Sequence, residues 1–117
     1  MPKPAAVPEQ FTAGFIAELD GRTVIAQDLR QRYDDITADL GGSAQLSYMQ
    51  RSLVERFLWL EYWLRAEEQR LAAGSEFDVG KWVQAANSAQ GILAKLGLQR
   101  QAKDVPDLAD FLKARKA

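Results

Sequence analysis

Residues 47–74 read SYMQRSLVERFLWLEYWLRAEEQRLAAG. Ser47 followed by Gln50 has the form of a capping box, in which hydroxyl and amide side chains each satisfy a backbone group left open by the first turn. From Tyr48 onward neither Gly nor Pro intervenes until Gly74, so the spacing predicts one helix of about 26 residues. Leu53, Phe57, Leu60, Leu64 and Leu71 follow a coiled-coil-like seam, interrupted at Gln50 and Glu67. Val54, Leu58, Trp59, Tyr62 and Trp63 fall outside that seam, so residues 53–64 are apolar around most of the helix circumference. One seam suffices for a two-helix hairpin; the remaining apolar surface needs a second cover. Two covers are open: flanking helices of the same chain, completing a four-helix core, or neighbouring subunits, because concentrated large aromatics are typical of interface cores.

Working outward, Asp78 is a suitable N-cap for a further helix ending at Gly97. Its apolar positions fall on heptads, Val79, Ala86 and Leu93 in one register and Trp82, Ala89 and Leu96 in the other. The short connection from Gly74 to Asp78 predicts an antiparallel hairpin. Ala85, Ala86, Ser88, Ala89 and Gly91 make this helix small-sided, which permits close helix approach. Upstream, Ile25, Leu29, Tyr33, Ile36 and Leu40 mark an amphipathic helix that Gly41-Gly42 ends. Phe11 to Leu19 fits either a strand, from the alternation Phe11, Ala13, Phe15, Ala17, Leu19, or a helix face, from Phe15, Ile16 and Leu19. A strand here would need a partner from a neighbouring subunit. Pro2, Pro4 and Pro8 predict a disordered, extended tail over residues 1–10. At the other end Pro106 suits the first turn of a short helix carrying Leu108, Phe111 and Leu112, followed by Lys113, Arg115 and Lys116.

The expectation is an all-α fold: a long antiparallel helix hairpin with short flanking N- and C-terminal helices, assembled into an oligomeric helical bundle. Residues 1–10 form the tail, 11–104 a helical oligomerisation domain and 105–117 a C-terminal docking helix. The 117 residues leave room for one core, and 47% hydrophobic content is ordinary for a folded chain.

The chain has no Cys and no His, which removes thiol chemistry and the common metal and haem ligand sets, and leaves carboxylates or Lys as the only general bases. No catalytic residue, metal or cofactor is expected. Asp34-Asp35 and Glu67-Glu68 are adjacent on helices, point in different directions and read as solvated charges. Glu61 and Arg65 read as a surface pair. No Gly-rich phosphate loop occurs, and no apolar run reaches membrane-spanning length, so a cytoplasmic protein without a membrane is expected.

Residues 1–94 hold 9 Lys/Arg against 13 Asp/Glu, and residues 95–117 hold 6 against 3, so positive charge concentrates at the C-terminal end. Lys95, Arg100 and Lys103, with Arg30 and Arg32 upstream, are candidate phosphate contacts. Any such DNA binding is expected to be salt-dependent and indifferent to sequence, since only one clear helix precedes the long one and no helix-turn-helix is evident. Leu53, Phe57, Trp59, Leu60, Trp63 and Trp82 are the candidate oligomer interface. Leu108, Phe111, Leu112, Lys113, Arg115 and Lys116 are the candidate partner-binding residues, with capping of the hairpin end as their plain structural alternative.

Leu46-Ser47-Tyr48-Met49-Gln50-Arg51 opens the long helix, and Asn87-Ser88-Ala89-Gln90-Gly91-Ile92-Leu93 runs into Leu96-Gly97-Leu98-Gln99-Arg100. With the order of elements, these stretches resemble the oligomerisation part of small terminase subunits of tailed bacteriophages and gene transfer agents, over residues 46–103. The resemblance implies a ring-forming, non-catalytic packaging factor that presents DNA to the large terminase subunit and regulates it. The chain departs from that pattern in lacking a helix-turn-helix ahead of the hairpin. The competing expectation is a small bacterial helical adaptor or regulator that dimerises and binds another protein.

Overall fold

The computed structural model describes residues 3–97, and every regular element among them is helical. Helix α1 spans Phe15–Glu18, α2 Val24–Asp39, α3 Tyr48–Ala72 and α4 Val79–Leu96, with a 3-10 turn at Ser43–Gln45. The all-α expectation holds at that level. The predicted element at 105–117 lies outside the described residues.

Local chemistry sets the boundaries. In α3 the Ser47 hydroxyl accepts from the Gln50 amide at 3.1 Å and the Gln50 side chain accepts from the Ser47 amide at 2.8 Å, the reciprocal pair read from the sequence. Asp78 accepts from the Lys81 amide at 3.1 Å to open α4, and Gly97, at φ 91, closes it. Thr23 caps α2 by accepting from the Ala26 amide at 3.2 Å. After α2 the chain turns through Gly41 and Gly42, both at positive φ, where the Gly42 amide reaches the Thr37 carbonyl at 2.7 Å.

The ambiguous stretch before α2 resolves as helix. Gly14, at φ 83, turns the chain from Phe11 into α1, and Phe15, Ile16 and Leu19 are buried together. The strand alternative, with its partner strand from another subunit, therefore falls away. These three residues join Ala26, Leu29, Val54 and Leu58 in one cluster between α1, α2 and the first half of α3. Val54 and Leu58 are essentially inaccessible; burial on this scale stabilises by about 1.5–3 kcal/mol for each such side chain.

Helix α3 is shared between two neighbours. Val54 and Leu58 enter the cluster with Leu29 of α2, and Glu61 on the same face pairs with Arg32 of α2 at 3.0 Å. Two residues further round from Val54, on the opposite face, Arg56 and Leu60 border α4. α4 thus packs along the side of α3 away from α2, and the excess apolar surface of residues 53–64 is met in large part within the chain.

The proline-bearing segment read as a tail departs from that expectation. Val7 packs on the core, the Asp20 amide donates to the Pro4 carbonyl at 2.8 Å, and the Trp59 indole donates to the Pro8 carbonyl at 2.9 Å. Proline lacks a donor but keeps its acceptor, and both attachments use that acceptor.

Candidate interaction surface

The six candidate interface residues do not play one role. Leu53, Phe57 and Leu60 are half-buried, and Phe57 packs against the core. Trp59 is engaged internally: besides its bond to Pro8, its ring meets Phe11 edge-on at 6.2 Å, and Phe11 meets Phe15 at 6.2 Å. The guanidinium of Arg56 stacks over the other side of this group, 4.3 Å from the Phe11 ring centre. The Trp59 indole is thus hydrogen-bonded and stacked within the chain, while the residue stays half-buried. Trp63 is half-buried and faces a cleft of about 730 Å³ near the α3–α4 connection, beside Glu67, Arg70, Phe77 and Lys81. Trp82 is half-buried 6.5 Å from Phe77, with its indole nitrogen buried and lacking an acceptor.

Three of the exposed apolar residues lie where α3 ends and α4 begins. Leu71 is 54% exposed, Val79 61% and Val83 42%. Leu71 continues the seam Leu53, Phe57, Leu60 and Leu64, whose members are half-buried beside it in sequence. Val79, on the heptad register of Ala86 and Leu93, and Val83, one turn on, are exposed because of the face α4 turns to α3. Tyr48 and Met49 are also exposed, at the opposite end of α3.

The charged candidates separate in the same way. Arg30 donates to the Leu19 carbonyl at 3.2 Å, and Arg32 bridges Asp28 at 2.9 Å and Glu61 at 3.0 Å. Both are engaged within the fold. Glu61, read as a partner for Arg65, sits closer to Arg32, with Arg65 at 3.8 Å. Lys95 is exposed on α4 and faces Arg56 and Trp59 across a groove of about 440 Å³ floored by Ser88 and Gly91 and bordered by Leu60 and Ile92. Arg100, Lys103, Leu108, Phe111, Leu112, Lys113, Arg115 and Lys116 lie outside the described residues.

A third cleft, of about 420 Å³, lies among Tyr33, Tyr48, Arg51, Ser52 and Glu55, where one Glu55 carboxylate oxygen is buried without a hydrogen-bond partner. Before α2, Asp20 accepts two side-chain bonds from Arg22, at 3.1 and 3.0 Å, and one from its amide at 3.0 Å. The Arg22 guanidinium and amide hold the Asp20 carboxyl below the usual carboxylate range. Among the described residues no group of three or more His, Cys, Asp or Glu is arranged to hold a metal ion, and no helix is long and apolar enough to cross a membrane.

Compared with family models, with curated proteins and with solved structures, the chain matches none.

Proposed function

We propose that this chain is a non-catalytic assembly protein whose α3–α4 hairpin associates with further copies of itself, and that it serves as a DNA-packaging factor of the small terminase kind, recruiting or regulating a large terminase subunit. The observation that carries self-association is the exposed apolar end of the hairpin, Leu71, Val79 and Val83, with Leu71 on the same α3 seam as the half-buried Leu64, beyond the break at Glu67. Apolar residues gathered at one end of a helical layer are what a subunit contact removes from water. The packaging role rests on the resemblance over residues 46–103.

The adaptor alternative, a helical dimer that binds another protein, gains from Arg30 and Arg32, whose side chains are held by Leu19, Asp28 and Glu61. With those cations engaged, the phosphate contacts proposed from the sequence come down to Lys95, Arg100 and Lys103.

Native mass spectrometry decides between them. A ring of many subunits supports packaging and a dimer supports the adaptor. The double substitution Leu71→Glu with Val83→Glu is expected to give a folded chain of smaller assembly mass. A wild-type protein that is monomeric at micromolar concentration would overturn self-association. Co-purification with a large terminase subunit tests the packaging role itself.

A further inference from the structure

The cleft beside the start of α3 is built from three parts of the chain: Gly14 before α1, Tyr33 of α2, and Tyr48, Arg51, Ser52 and Glu55 of α3. Its volume of about 420 Å³ is within the range of small-molecule sites. One oxygen of the Glu55 carboxylate is buried and accepts no hydrogen bond. Arg51 stands one turn before Glu55, where opposite charges on a helix ordinarily reach each other. No ion pair joins them, and among the described residues neither side chain has another charged partner. Basic before acidic is the weaker order for such a pair, because it sets positive charge toward the helix N-terminus.

A carboxylate with an unmet acceptor and an unpaired guanidinium therefore share one cleft without satisfying each other. A buried acceptor without a donor is costly, so Glu55 favours an entering N–H group. The same entrant has to meet Arg51, which repels a plain cation and attracts an anion. A small molecule carrying both charges satisfies both side chains. Cβ atoms four residues apart on a helix lie about 5–6 Å from each other, a spacing that suits an ammonium and a carboxylate borne on a single carbon. For the rest of the ligand, Tyr33, which packs against the core, and Tyr48, 69% exposed, supply ring surface. At Gly14 an added methyl group would meet nothing within 4 Å, so that wall leaves room.

We propose that this cleft binds a free α-amino acid with an aromatic or large apolar side chain. Its ammonium donates to Glu55, its carboxylate accepts from Arg51, and its side chain lies against Tyr33 and Tyr48. The inference does not rest on self-association, because Leu71 of the exposed hairpin end lies about 24 Å beyond Glu55 along α3. A ligand held in this way touches the entry to α1, α2 and α3 at once and stabilises their packing.

The test is an NMR titration of the full, isotope-labelled chain with L-phenylalanine. Saturable shifts at Gly14, Ser52 and Glu55 are expected, with half-saturation on the order of 1 mM, as suits a ligand of about a dozen non-hydrogen atoms. L-Phenylalanine methyl ester lacks the carboxylate and N-acetyl-L-phenylalanine lacks the ammonium; each is expected to bind about tenfold more weakly, because each leaves one charge of the cleft unmet. Glu55→Gln keeps the size of the side chain and should weaken phenylalanine by a similar factor while leaving the N-acetyl compound as it was, a selectivity that general loss of structure would not produce. If Glu55→Gln does not fold, the three ligands compared on the native chain decide alone. Absence of shifts at these residues up to about 20 mM would overturn the assignment. Equal binding of all three ligands would overturn it too, since it would mark apolar adhesion without recognition of either charge.

Discussion

Replacing Trp59 by Phe isolates the attachment of the N-terminal segment. The substitution keeps an aromatic ring facing Phe11, at 6.2 Å in the native protein, and removes the indole N–H that donates to Pro8 at 2.9 Å. The lost hydrogen bond contributes about 1 kcal/mol, and because Pro8 is only half-buried, water takes over its carbonyl without a large further penalty. The smaller ring loses some contact, so a total of roughly 1–2 kcal/mol is expected. The amide of Asp20 is a built-in reporter, since it donates to Pro4 at 2.8 Å and is protected only while the segment is seated. Amide exchange followed by NMR should show Asp20 exchanging about fivefold faster in the variant, the factor that 1 kcal/mol of local opening implies. Trp63→Phe, whose indole is not bonded to this segment, should leave the Asp20 rate unchanged. If Trp59→Phe lowers overall stability but leaves Asp20 exchange as in the native chain, the indole bond does not hold the segment and the reasoning fails.

Ser47→Ala removes half of the capping box and should destabilise by about 1 kcal/mol, read as a lower melting temperature with helical content retained. Glu61→Gln breaks the link between α2 and α3 through Arg32, whose two partners lie at 2.9 and 3.0 Å; a loss on the order of 1 kcal/mol that shrinks in high salt is expected by chemical denaturation. For Asp20 the folded carboxyl lies below its unfolded value, so its stabilising contribution is present at neutral pH and is lost as pH falls through the folded value. Asp20→Asn should therefore flatten the acid limb of the stability profile, and an NMR titration giving Asp20 an ordinary carboxylate midpoint would contradict the Arg22 contact.

What the sequence disclosed was local. Ser47 with Gln50, and Asp78 with Gly97, announce their helices because capping bonds join residues a few positions apart. Tertiary choices had no such signature. Residues 53–64 offer apolar side chains in nearly every direction, so the pattern could not say that α2 would take Val54 and Leu58 while α4 took the side of Arg56 and Leu60. The seat of residues 4–11 was hidden because carbonyl acceptors are the same in every residue, and a Pro-rich stretch usually signals a chain without attachments. Arg32 and Glu61, 29 residues apart, are likewise joined only by the fold. The stacking of Trp59 within the chain was equally out of reach, and the exposed valines of α4 follow from a helix rotation that heptad counting does not fix.

The position of α3 between α2 and α4 governs how the chain can be built up. The α1–α2 cluster needs only the first half of α3, whereas α4 has α3 as its principal neighbour and joins it through the connection from Ala73 to Asp78. Near its C-terminal end α4 also touches the cluster through Leu96, so it is held mainly along α3 and at one further point. The contacts it makes on α3 do not depend on which copy supplies it. If the connection straightened and α3 ran on into α4, two chains could exchange their last helices and keep every one of those contacts, and the length of a six-residue link would decide between a closed subunit and an interlocked pair.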